Sequence, residues 1–97
     1  MRPSETLSKH RDEVLQIISR YPVSNPRVFG SVARGEDVEG SDLDILVEPE
    51  FEVTTFVHLA DLEINLEALL GIAVDVRTPG EFGERASARV AADMRSL

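Results

Sequence analysis

The run Asp42-Leu43-Asp44-Ile45-Leu46-Val47 places the strongest constraint on what this chain can fold into. It is rich in β-forming residues and is closed by Glu48-Pro49, so it reads as a strand over residues 42–47. Residues two apart on a strand point the same way. Leu43 and Ile45 therefore share a face that needs apolar cover, while Asp42 and Asp44 stand side by side on the other. Two adjacent carboxylates repel, which raises at least one pKa unless a positive charge sits between or beside them. A divalent metal ion is the simplest such charge.

The segments on either side supply that cover. Leu7, Val14, Ile17, Ile18 and Tyr21 recur near helical spacing, with Ser4 as a candidate cap and Tyr21-Pro22 as a stop, which predicts a helix over residues 4–20. Val23-Ser24-Asn25-Pro26 reads as a loop and Arg27-Val28-Phe29 as a short strand running into Gly30-Ser31. A short helix is expected over 32–35, then the polar loop 36–40. Leu59, Leu62, Leu66, Leu69 and Leu70 repeat at helical intervals after the candidate cap Thr54, and Gly71 stands where a left-handed residue ends helices, so 55–70 is a second long helix. Residues 72–76 form a third strand, 78–80 a turn and 84–94 a terminal helix. Strands alternating with helices give an α/β (α+β) class, a small mixed sheet with helices packed mainly on one face.

At 97 residues the chain has room for one core, so residues 1–97 are expected to be a single domain with no separate substrate-binding part. The net charge of −8, with ten basic residues of which only Lys9 is lysine, leaves no basic stripe to follow a phosphate backbone. Long nucleic acid is excluded as a substrate class, whereas a small anion held by local N–H groups and metal, or a basic protein partner, is not. The absence of cysteine removes thiolate zinc sites and leaves only His10 and His58 as nitrogen ligands. Any metal is then bound by oxygen, which points to Mg²⁺ or Mn²⁺. No signal-peptide pattern or membrane-length apolar run is present, so no membrane association and a cytoplasmic location are expected.

Gly30-Ser31 falls where the first strand turns into a helix, and the first N–H groups of a helix have no partner within it. Glycine permits close backbone approach, and the Ser31 hydroxyl can donate to a phosphate oxygen. Asp75 interrupts the apolar pattern Ala73-Val74-Asp75-Val76. If its strand lies beside the Asp42 strand, it completes a three-carboxylate site able to hold two metals about 4 Å apart. One metal would activate an attacking hydroxyl and the other would neutralise a triphosphate and its pyrophosphate leaving group, which is nucleotidyl transfer. Asp75 has a second reading, as the ion-pair partner of Arg77.

Gly30-Ser31, ten residues, then Asp42-Leu43-Asp44 resembles the G-S-x10-D-x-D signature of nucleotidyltransferases of the DNA polymerase β type. The longer strings Phe29-Gly30-Ser31-Val32-Ala33-Arg34-Gly35 and Ser41-Asp42-Leu43-Asp44-Ile45-Leu46-Val47 resemble the minimal nucleotidyltransferases in particular, over nearly the whole chain. The resemblance implies that Gly30 and Ser31 hold the triphosphate of ATP, that Asp42, Asp44 and Asp75 are catalytic metal ligands, and that Arg34 and Ser41 lie near the nucleotide. It further implies pairing with a HEPN-family ribonuclease toxin, silenced by transfer of AMP to one of its tyrosines, with the oligomeric state left open. Against this stand a solvated-helix role for Arg34 and a turn-ending role for Ser41. The competing functions are an antitoxin acting by occlusion alone and a small-molecule, antibiotic-modifying transferase, for which this length supplies no acceptor domain.

Overall fold

The structure, a computed structural model, describes residues 1–97. Two short helices, α1 (Pro3–Lys9) and α2 (Arg11–Ile18), precede β1 (Val23–Phe29), α3 (Gly30–Arg34) and β2 (Leu43–Pro49). The long helix α4 (Phe56–Leu70), β3 (Val74–Arg77), a 3₁₀ turn (Pro79–Glu81), α5 (Glu84–Asp93) and the two-residue strand β4 (Arg95–Ser96) complete the chain. The sheet order is β3-β2-β1-β4, with β1 antiparallel to β2 and β4, and β2 parallel to β3. The expected mixed sheet is thus present.

The alternation of β2 decides the layering. Leu43, Ile45 and Val47 are completely buried, beside Val28 of β1 and Val74 and Val76 of β3. Leu59, Leu62, Leu66 and Leu70 of α4 close over them with Val14 and Ile18 of α2 and Leu7 of α1. Full burial of such a side chain contributes about 1.5–3 kcal/mol, so this face supplies most of the driving force. The other face carries a smaller apolar group at one end, where Leu46 and Phe29 are buried and Phe82 meets Phe29 edge to face at 5.7 Å. That leaves the end bearing Asp44 open.

The exposed edge of β3 is closed by side chains rather than by another strand. Glu67 and Glu63 of α4 accept from the N–H groups of Val74 (3.0 Å) and Val76 (2.8 Å), satisfying donors that would otherwise recruit a foreign strand. Gly71 ends α4 in the left-handed region, φ 69°, as expected.

Several boundaries differ from expectation. The helix predicted over 4–20 breaks at His10 (φ −115°, ψ 20°) into α1 and α2. Ser4 lies inside α1, and its N–H is taken by the distant Asp37 carboxylate at 2.8 Å. Residues 23–26 are strand, not loop: β1 begins at Val23 and absorbs Pro26 through a register irregularity between Ser24 and Arg27, with Asn25 at φ 48°. Asp42 sits just before β2, which runs on through Pro49. The cap of α4 is Thr55, paired reciprocally with His58, while the Thr54 hydroxyl turns to the Pro22 carbonyl. β3 starts at Val74, two residues later than expected, and β4 was not anticipated. No helix is long and apolar enough to cross a membrane.

Candidate active site

β1 ends and α3 begins at Gly30, whose φ of 72° is open to glycine at no steric cost. Asp44 lies against it: a methyl group on Gly30 would collide with the Asp44 carboxylate, its Cβ falling 3.3 Å from Cγ as well as inside contact distance of an oxygen. The glycine therefore serves two purposes, a left-handed turn into the helix and a cradle for the carboxylate. Ser31 follows in the first turn of α3, where N–H groups lack helical partners.

The parallel register of β2 and β3 pairs Asp44 with Asp75, which puts both on the face opposite the core. Asp42 stands exposed at the entry to β2 and acts on Asp44 through its charge. Burial, then the charges of Asp75 and Asp42, push the Asp44 carboxyl up from an ordinary 3.8 to about 6, with Arg77 and Arg34 acting the other way. Positive charge is thus in deficit at this point. No three acidic or histidine side chains stand close enough to cage a metal by themselves. The donor set fits an ion of the Mg²⁺ kind, which takes one or two carboxylates and completes its shell with water and phosphate oxygens.

Asp75 is brought to the site but is also held by Arg77, whose Nε lies 3.0 Å from both carboxylate oxygens. Arg77 in turn reaches Glu81 at 3.4 Å. Arg34 stands at the rim with its guanidinium committed to Asp93 of α5 (2.6 Å) and to Glu36 (3.1 Å), although its charge still reaches Asp44. Ser41 closes a turn, its hydroxyl accepting from the Val38 N–H at 3.0 Å and its N–H donating to the Val38 carbonyl. His10 pairs with Glu13 and His58 caps α4, so neither histidine joins the site.

Three charged partners were not singled out from sequence. Asp93 and Glu81 meet their arginines through tertiary folding and a turn. Asp37, 2% exposed in a loop that looks merely acidic, anchors α1 through Ser4 and leaves its Oδ1 without a partner. No local pattern announces Asp93 or Asp37, whereas Thr78-Pro79-Gly80-Glu81 has the capping-box spacing that places Glu81.

Known proteins resemble this chain over most of its length. The family described as the nucleotidyltransferase domain matches residues 7–96. The protein adenylyltransferase MntA of Thermococcus cleftensis is 44% identical over 70 residues, covering 72% of this chain and 67% of that protein. A provisionally named protein adenylyltransferase of Methanocaldococcus jannaschii is 42% identical over 74 residues, 76% of this chain and 81% of the relative. A solved structure provisionally described as a minimal nucleotidyltransferase superposes with a TM-score of 0.83 at 40% identity, covering 97% of this chain and 95% of its own. A crystal structure of a toxin-antitoxin with AMP-PNP shares the fold at a TM-score of 0.75 and 17% identity, covering 88% of this chain and 69% of that one.

Proposed function

This chain belongs to the nucleotidyltransferase family, in its minimal branch, and we propose that it transfers AMP from ATP to a hydroxyl group of a partner protein. As a member of that family it is a nucleotidyltransferase. The observation that carries the finer reading is the juxtaposition of Asp44, cradled by Gly30 and in register with Asp75, at the start of a helix. The single domain 1–97 is the acting unit.

Gly30 and Ser31 hold the β- and γ-phosphates through backbone N–H groups and the Ser31 hydroxyl. Asp42 and Asp44, with Asp75 beside them, would supply the carboxylate oxygens for Mg²⁺, the rest of its shell coming from water and phosphate oxygens. When bound, the metal neutralises the triphosphate and lowers the pKa of the acceptor hydroxyl. The acceptor oxygen forms a bond to the α-phosphorus while the bond from that phosphorus to the oxygen bridging the β-phosphate breaks. Pyrophosphate leaves with the electron pair, and the hydroxyl proton passes to Asp75 and then to solvent. Asp75 must exchange Arg77 for these duties, and Glu81 gives Arg77 a second carboxylate to hold.

The acceptor in this reading is a HEPN-family toxin silenced by modification of a tyrosine, which makes the chain its antitoxin. The adenylyltransferase names of the relatives support a protein acceptor, and the acidic surface argues against a long polynucleotide. A second reading, neutralisation by occlusion alone, draws on exposed apolar side chains such as Phe56 and Val57, which suit a partner surface without chemistry.

Transfer of label from α-labelled ATP and Mg²⁺ to a co-purified partner, compared between wild type and Asp42→Asn/Asp44→Asn, decides between them. Label on the partner with wild type alone is the expected result. An intact complex that takes up no label would abandon transfer in favour of occlusion.

A further inference from the structure

Seven large apolar side chains are left exposed in this fold, and five of them, Phe51, Val53, Phe56, Val57 and Ile64, lie between residues 51 and 64. Single exposed apolar residues are ordinary, but a cluster of this kind marks an interaction surface. The helix spacing explains how α4 carries two apolar faces. Its leucines point into the core, while Val57, Ala60, Ile64 and Ala68 follow one another up the outward side. The turn before α4 adds Phe51 and Val53 at the same end of the helix.

The stretch of chain that carries this surface is acidic, with Arg77 on the cavity wall and Arg20 near Tyr21 as the cations at its margins. No lysine or arginine occurs between Arg34 and Arg77, a stretch that holds most of the acidic residues of the chain. Glu50, Glu52 and Asp61 stand exposed around the apolar cluster. A second copy docked face to face would set these carboxylates against their own kind, and nucleic acid or an anionic membrane would be repelled in the same way. A protein with an apolar centre and a basic rim is the complementary occupant.

The surface also leads to the candidate site. A cavity of about 360 Å³ lies along the β3 edge, with Phe56, Leu59 and Ala60 of α4 on one side and Asp75, Arg77 and Glu81 on the other. Phe56 and Ala60 thus belong both to the apolar surface and to the wall facing Asp75.

We infer that the turn before α4 and the outward face of α4 form the docking surface for a basic-rimmed partner protein, and that the cavity beside Asp75 admits the acceptor side chain of that partner. The docking surface stands on its own observations; the role of the cavity rests on the transfer reading. A partner bound around the cavity presents its hydroxyl toward Asp75, which lines it.

A photoreactive phenylalanine analogue at Ile64, with one at Arg89 on α5 as control, tests docking in cells of the native organism. The expected product is one adduct specific to position 64, with a basic protein that also takes label from α-labelled ATP, and it is lost in a Val57→Asp background. An adduct with a second copy of this chain, an adduct equally strong from Arg89, or one indifferent to Val57→Asp would overturn the proposal. Independently, Val57→Asp/Ile64→Asp should cut label transfer to that protein by about tenfold or more, with Mg²⁺-ATP binding by calorimetry unchanged; an unchanged rate of transfer overturns the role of the surface in catalysis. Should the adduct form while wild type labels nothing, docking stands and the transfer reading falls.

Discussion

On one face of β2, Leu43, Ile45 and Val47 are completely buried under helices, whereas on the other Asp44 sits half-buried against Gly30 with Asp75 beside it. The same strand therefore carries core residues and a candidate-site carboxylate at alternate positions, and the two faces enter the free energy of folding with opposite sign. Burial of the apolar set drives folding. Partial burial of Asp44 among like charges opposes it, as the upward displacement of its pKa to about 6 records. A site suited to a cation has this electrostatic character, because its carboxylates repel one another until positive charge is placed among them.

The sharpest way to break the comparison is to change one face at a time. Asp42→Asn/Asp44→Asn should lower transfer of AMP by on the order of 10²–10³-fold, the range for removing a preorganised charge-stabilising group, and leave the fold intact by circular dichroism. Retention of near-normal transfer would remove these carboxylates from the reaction. Ile45→Ala, one residue along and on the opposite face, should cost about 2–5 kcal/mol in denaturant unfolding through the cavity it leaves. For a small domain that is a large share of its total stability. If the two substitutions exchanged their effects, the assignment of faces would be wrong.

The candidate site was more legible in the sequence than parts of the fold because the features that point to it are local. The spacing of Asp42 and Asp44 and the Gly30-Ser31 junction each follow from backbone geometry within a few residues, and the apolar break at Asp75 is visible in its own strand. What the sequence does not carry is the register that sets Asp75 opposite Asp44, since that depends on how two strands settle against α4. The break at His10 has no glycine or proline to announce it, and apolar spacing continues across it from Leu7 to Val14. The first of the two helices is also tied down by the bond from Ser4 to Asp37, thirty-three residues away. β4 is two residues long, too short for any periodicity, and exists because β1 offers a free edge. The commitment of Arg34 to Asp93 likewise requires α5 to be in place.

A finer test separates backbone conformation from contact with the carboxylate. Gly30 and Gly35 share a φ of 72°, but an added methyl group meets Asp44 at the first and open space at the second. Alanine at either should cost about 1–2 kcal/mol for the left-handed backbone. Only Gly30→Ala should also displace Asp44 and weaken Mg²⁺-ATP binding, measured by calorimetry. Equal losses of binding at both positions would mean that the cradle contributes nothing beyond the turn.

The smallest expected effect is the most direct measure of the opposition between the faces. In the metal-free protein the Asp44 carboxyl titrates near 6, above its ordinary 3.8. Since the folded value is the higher one, this group adds stability that is fully present below the unfolded pKa and is lost as the pH rises through about 6. Partial solvent exposure limits the increment to about 1 kcal/mol, or roughly 4–8 °C in melting temperature for a domain of this size. Asp44→Asn should therefore melt higher than wild type at pH 7, with the difference shrinking as the pH is lowered toward 4. Saturating Mg²⁺ and ATP should reverse the ranking, because ligand stabilises only the chain that binds it. A variant less stable than wild type at pH 7 without ligand would show that Asp44 stabilises the fold, and the division between the two faces of β2 would not hold.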